Sequence, residues 1–259
     1  MVVLCQCAGV NALLKSEQPD LIYAKAMEFY GKKKWSRAST LFEGVEHYYR
    51  GTSREDTIRF YNAHCKYMNR DFETASMLFD DFRKSYGRSS FLEDAEGIYA
   101  LCQYQMSPGP TRDQTMTSHA LIAINEFISR YPDSDKVEEF KKLNEELTER
   151  LHDKSYINAY TYYKIGRYKS AIVALKNALR TYPMTKHREE IMFLIVDSSY
   201  QLASNSVASK QTDRYLAMMD SYLSFREEFP ESKHIKEAER MAKQARDYLD
   251  QHVTEEEMQ

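Results

Sequence analysis

The chain has 259 residues, and its 36 Lys and Arg stand against 39 Asp and Glu, for a formal charge of −3. That balance leaves no basic stripe and excludes nucleic acid as the expected partner. No apolar run approaches the roughly 20 residues of a membrane-spanning helix. With 8 Gly and 6 Pro there are too few turn residues for a sheet protein, whereas recurrent Ala, Leu, Glu and Lys suit helices. Aromatics reach 13%, and 20 of them are Tyr, a residue for half-buried positions where the ring packs and the hydroxyl stays wet. The cysteines, Cys5, Cys7, Cys65 and Cys102, are too irregularly spaced for a disulfide framework.

From the N-terminus, Met1-Val2-Val3-Leu4 reads as the last piece of a signal peptide. Leu4-Cys5-Gln6-Cys7-Ala8-Gly9 resembles a bacterial lipobox, with Cys7 the lipidated residue. Gln6 departs from the small residue usual there, and Cys5 fits less well because Leu4 would directly precede it. Residues 1–18 are therefore expected to be a lipid-anchor remnant and linker.

Repeats follow. Ala26-Met27-Glu28-Phe29-Tyr30, Ala63-His64-Cys65-Lys66-Tyr67, Ala100-Leu101-Cys102-Gln103-Tyr104 and Ala159-Tyr160-Thr161-Tyr162-Tyr163 each begin small and end in Tyr. Each is followed by a second apolar pattern. Trp35, Ala38, Phe42 and Val45 have the spacing of Phe72, Ala75, Phe79 and Phe82, and Tyr168, Ala171, Leu175 and Ala178 repeat it. The third unit reads Ala120, Ile124, Phe127, Pro132, and the fifth Met218, Tyr222, Phe225, Pro230. A small residue lets two helices approach, a large one fills the neighbouring groove, and Pro ends the second helix. The pattern resembles the tetratricopeptide consensus. It predicts an all-α superhelical array of about five helical hairpins with a C-terminal capping helix.

Two segments read as long turns: Ser107 to Gln114, and the Ser-rich stretch from Ser204 to Thr212. Residues from Asp135 to Lys164 lack a breaker and read as one long helix. The last helix is expected from about His234 to Leu249. The domain organisation expected is an N-terminal part, 19–134, with repeats one to three, and a C-terminal part, 135–259, with repeats four and five and the cap.

Beyond the repeats, Cys7, Gly9 and the segment Asn11 to Ser16 resemble the start of the BamD family of outer-membrane β-barrel assembly lipoproteins. The likeness continues through Tyr49 to Thr52, the loop Ser107-Pro108 to Asp113-Gln114, Tyr162 to Gly166, Ala171 to Asn177, and Ser209-Lys210-Gln211. It covers nearly the whole chain after Cys7. The resemblance implies a scaffold lipoprotein, lipid-anchored on the periplasmic face of the outer membrane. Its implied partners are a BamA-like barrel protein, docked by the C-terminal repeats, other assembly subunits, and the C-terminal signal of unfolded outer-membrane proteins, recognised by the N-terminal repeats. A cytoplasmic adaptor that clamps peptide tails is the alternative that the repeats alone allow.

No catalytic set, phosphate loop or cofactor motif is legible, so no cofactor and no enzyme activity are expected. His47, His64, His119, His152, His187, His234 and His252 are scattered without metal-ligand spacing. Cys65 and Cys102 share a repeat position, which argues for packing. The expected substrate-peptide site is an aromatic face: Tyr23, Met27 and Tyr30 at i, i+4 and i+7, and Phe60, His64 and Tyr67 likewise. Arg59 and Lys66 flank the second triplet as candidate partners for a peptide carboxylate. The same rings at helical spacing also suit plain packing between hairpins.

Overall fold

The computed structural model describes residues 10–256. They form helices α1 (Pro19–Gly31), α2 (Trp35–Val45), α3 (Glu55–Met68), α4 (Phe72–Ser85), α5 (Leu92–Met106), α6 (Thr115–Arg130), α7 (Val137–Lys164), α8 (Tyr168–Thr181), α9 (Arg188–Ser204), α10 (Ala208–Glu228) and α11 (Ile235–Glu256). Paired in order, they are five hairpins and a final helix, as the repeats predict. Two compact units divide the chain, Met1–Thr148 and Glu149–Gln259, with the boundary inside α7.

The hairpins form for the reasons visible in the repeats. Ala26, Ala63, Ala100, Ala159 and Ala171 are buried at 0–1% exposure, so backbones approach where these side chains meet. Phe42, Phe79, Phe82 and Phe127 fill the space beside them and are likewise buried. Cys65 and Cys102 are free thiols inside the first two cores, packing as small apolar groups.

In the first unit, α1 packs on α2, α2 on α3, and so on to α6. A helical turn at residues 10–14 precedes them, and Val10, Leu13 and Leu14 join the core of the first hairpin. Gly44 makes room for it, because a Cβ there would lie 2.2 Å from Leu14 Cδ2. In the second unit, α9 packs on α8 and α10, and α11 covers α9 and α10. Phe193, Met218, Phe225, Met241 and Ala245 form that core.

Three hairpin tips share one backbone turn. Lys33, Arg70 and Gly166 have φ of +55°, +62° and +70°. Each follows the repeat Tyr by the same number of residues. The next amide donates back to Phe29, Lys66 or Tyr162, which closes the helix in a left-handed C-terminal cap. Glycine suits that conformation without a Cβ penalty, yet two of the three tips use a long cation.

Side chains of the connecting loops latch successive hairpins. Ser89, Ser134 and Ser232 donate to Asp56, Glu93 and Glu189 at 2.6–2.7 Å. Two residues further on, and likewise at His187, a side chain lies against the first helix of the preceding hairpin. Phe91 stacks on Phe60 with centroids 4.6 Å apart, and Lys136 pairs with Asp94. His187 stacks on Tyr156 at 4.2 Å and meets Asp153 at 2.7 Å. His234 stacks on Phe193 at 4.1 Å and meets Glu190 at 3.0 Å. Two histidines that look scattered in the sequence thus fill one repeated structural position.

Two expectations need adjusting. The turn expected from Ser204 to Thr212 spans only 205–207, because Ala208–Thr212 is the first part of α10. Its polar residues mark a solvent face: residues 208–210 are exposed. The final helix also runs beyond Leu249, to Glu256. The loop from Ser107 to Gln114 stands between α5 and α6 as expected, and the long helix is α7. Cys7 lies outside the described residues.

Candidate functional site

The aromatic triplets meet because α1 and α3 are the first helices of neighbouring hairpins. Tyr30 links them: its hydroxyl is 3.1 Å from Nδ1 of His64, and its ring is 4.7 Å from Tyr61 and 5.2 Å from Trp35. His64 in turn is 6.3 Å from Tyr67 and 6.1 Å from Trp35. Tyr67 leans on Phe72 at 5.7 Å. At the other end Tyr23 packs against Phe42 and Tyr49, and the Arg54 guanidinium sits 5.6 Å from its ring centroid. Tyr23, Met27, Tyr30, His64 and Tyr67 are half-buried.

Phe60 is different. It is 6% exposed and is held by Phe79, Phe82 and Phe91. It forms the floor beneath His64 and belongs to the core of the second hairpin. Arg59 is already engaged, at 2.9 Å from Glu46 and 3.3 Å from Glu55. Lys66 is 2.7 Å from Glu43. Trp35 and Tyr61 also belong to this wall. Trp35 opens α2 directly after the tip, and Tyr61 follows Phe60, so neither falls on the helical spacing used to choose the triplets.

The wall is electrically neutral. Burial pushes the Tyr30 hydroxyl up to about 12, and Tyr61 and Cys65 add to the effect. Burial raises Tyr23 and Tyr67 as well. It lowers His64, against a smaller opposing pull from Asp94, so the imidazole stays uncharged near neutral pH. Burial also pushes the Cys65 and Cys102 thiols up to about 12, which withholds the thiolate that nucleophilic chemistry needs. Such a surface accepts apolar and aromatic side chains and offers hydroxyls as hydrogen-bond partners.

The second unit builds the same link from different residues. Tyr163 donates to Oδ2 of Asp197 at 2.5 Å, and Gln201 donates to Oδ1 at 3.1 Å. A carboxylate therefore occupies the place that His64 holds in the first unit. His187, Tyr156, Tyr160 and Tyr163 make a stacked series along α7, with centroid spacings of 4.2, 5.6 and 5.8 Å.

Among the described residues, no group of three or more His, Cys, Asp or Glu is placed to hold a metal ion. No described helix is long and apolar enough to cross a membrane.

Hairpins closed by small residues and recurrent tyrosines make this a tetratricopeptide-type repeat protein. The chain belongs to the YfiO family of outer membrane lipoproteins, whose model matches residues 15–158 and 137–255. It is similar to the outer membrane protein assembly factor BamD of Caulobacter vibrioides, 25% identical over 210 residues, which is 79% of this chain and 68% of the relative. Among solved structures, a chain of the TPR2AB-domain:pHSP90 complex of yeast Sti1 aligns with a TM-score of 0.40 and 11% identity, covering 89% of this chain and 99% of that one.

Proposed function

We propose that this protein is a non-enzymatic scaffold lipoprotein of the outer-membrane β-barrel assembly machinery, anchored through Cys7 on the periplasmic face. Its first repeats hold the C-terminal segment of unfolded outer-membrane proteins, and its later repeats dock a BamA-like barrel protein. The single observation that carries the reading is the neutral, half-open aromatic wall along α1 and α3, in a chain of the outer membrane lipoprotein family. Tyr23, Met27, Tyr30, His64 and Tyr67 face the peptide over the floor of Phe60, and Arg59 and Lys66 border it. An extended peptide needs pockets for alternate side chains, and aromatics supply contact area at low entropy cost. The division between Thr148 and Glu149 supports separate tasks for the two units.

Two measurements test this. A labelled peptide with the alternating apolar residues of a β-barrel C-terminus is titrated with wild type, Tyr67→Ala and Phe60→Ala. Tyr67→Ala weakens binding and leaves the melting temperature in place. Phe60→Ala lowers stability by about 3–5 kcal/mol, as for other buried rings. Unchanged affinity in Tyr67→Ala would return the wall to a packing role. Affinity purification from detergent-solubilised envelope then recovers a barrel protein with periplasmic domains; its absence would remove the docking half of the proposal.

A further inference from the structure

The tip of the first hairpin holds a second feature. A cavity of about 440 Å³ is lined by Lys33, Lys34, Trp35, Ser36, Arg37 and Asn69. From Gly31 to Arg37 the sequence contains no acid and is dense in cations. Lys34 and Arg37 sit over the ring of Phe29, at 5.9 and 5.7 Å from its centroid. Lys25 is over the same ring at 5.4 Å. The nearby acid, Glu28, is engaged by Lys25 and Lys32, each at 2.7 Å. Among the described residues neither Lys33 nor Lys34 is paired with a carboxylate, unlike Arg59 and Lys66. The cavity joins the aromatic wall through Trp35, which touches both Tyr30 and His64.

We propose that this pocket receives the free C-terminal carboxylate of the bound peptide, with Lys33 and Lys34 as its cations and Trp35 as the wall for the terminal side chain. The assignment rests on the peptide-binding reading above and names the end of that cleft. It also fixes the direction of the peptide, whose last residue lies at the hairpin tip. The second unit has a matching tip cavity around Arg167, Tyr168 and Lys169, but there the repeat tyrosine is bound to Asp197. A buried carboxylate beside the tip repels an anionic ligand. In the first unit the corresponding residue is the neutral His64.

The test compares two N-terminally labelled peptides of one sequence, alternating apolar residues and ending in Phe, one with a free carboxylate and one with a C-terminal amide. Both are titrated into the full chain. Wild type favours the free acid by about tenfold, the scale of a hydrogen bond to a charged group. Lys33→Gln/Lys34→Gln, which alters exposed side chains only, loses that preference and keeps the amide affinity. Arg167→Gln/Lys169→Gln keeps the preference. Equal binding of acid and amide by wild type overturns the carboxylate assignment and leaves the cleft standing. A preference that survives in the Lys33/Lys34 variant, or disappears in the Arg167/Lys169 variant, also overturns it. If wild type binds neither peptide, the cleft itself fails. Vesicles containing phosphatidylglycerol form the last arm: lost vesicle binding in the Lys33/Lys34 variant with an intact acid preference identifies a lipid site and overturns the proposal.

Discussion

The Tyr163 hydroxyl donates a 2.5 Å hydrogen bond to Asp197, 34 positions further along the chain, at the same separation as Tyr30 and His64. One tyrosine position therefore joins neighbouring hairpins in both units, and the partner sets the local charge. Asp197 is 8% exposed, so its carboxylate depends on such donors. Tyr163→Phe removes one of its two donors among the described residues and leaves Gln201. The expected loss is about 1–3 kcal/mol of stability, read as a lower midpoint in urea unfolding. A midpoint unchanged from wild type would mean that solvent replaces the hydroxyl.

Arg70 adopts φ +62° at the tip between α3 and α4. A left-handed conformation costs a residue with a Cβ roughly 1–2 kcal/mol, a cost glycine avoids. Glycine also raises the entropy of the unfolded chain, which returns part of the gain. Arg70→Gly is expected to stabilise the protein by about 0.5–1 kcal/mol, seen as a higher melting temperature. A lower one would show that the Arg70 side chain contributes more than the strain costs.

His64 gives the first unit a pH dependence. Its folded pKa is lowered, chiefly by burial. Below the ordinary value of 6.5 the unfolded chain takes up a proton that the folded chain resists. Its contribution to stability is complete above pH 6.5 and is lost as pH falls through the folded value. His64→Gln should flatten this part of the profile between about pH 8 and pH 5. Identical profiles for variant and wild type would place the titration elsewhere.

Cys7 is expected to carry acyl chains. Expressed behind a complete signal peptide, the wild-type chain should incorporate labelled palmitate and fractionate with membrane, and Cys7→Ala should do neither. Retained label in the variant would move the modification to another residue.

The sequence shows the hairpins well because each rests on short-range spacing: Ala63 followed by Tyr67, or Ala171 followed by Leu175. The turn after Met106 is equally legible, since Pro108, Gly109 and Pro110 stop a helix wherever it lies. The start of α10 is not, because Ser209, Lys210 and Gln211 suit a loop and an exposed helical face alike. The latches are hidden for another reason. Ser232 and Glu189, or His234 and Phe193, meet only after a whole hairpin has folded between them. In the cleft, helical spacing finds Tyr23, Met27 and Tyr30 and passes over Trp35, which reaches the wall from the next helix. It also selects Phe60, because a floor residue and a facing residue share the same period. The pairing of Arg59 with Glu46 and of Lys66 with Glu43 depends on the approach of two hairpins, which spacing does not encode.

The central claim is that unfolded outer-membrane proteins lie along α1 and α3. Site-specific photocrosslinking in the full chain tests it most directly. A photoreactive residue replaces Tyr67, or Met77 on α4, which is 65% exposed and is not one of the wall residues. A labelled β-barrel C-terminal peptide is then added and irradiated. The account predicts a crosslink at position 67 that unlabelled peptide competes away, and none at position 77. A crosslink at 77 with none at 67 would contradict it.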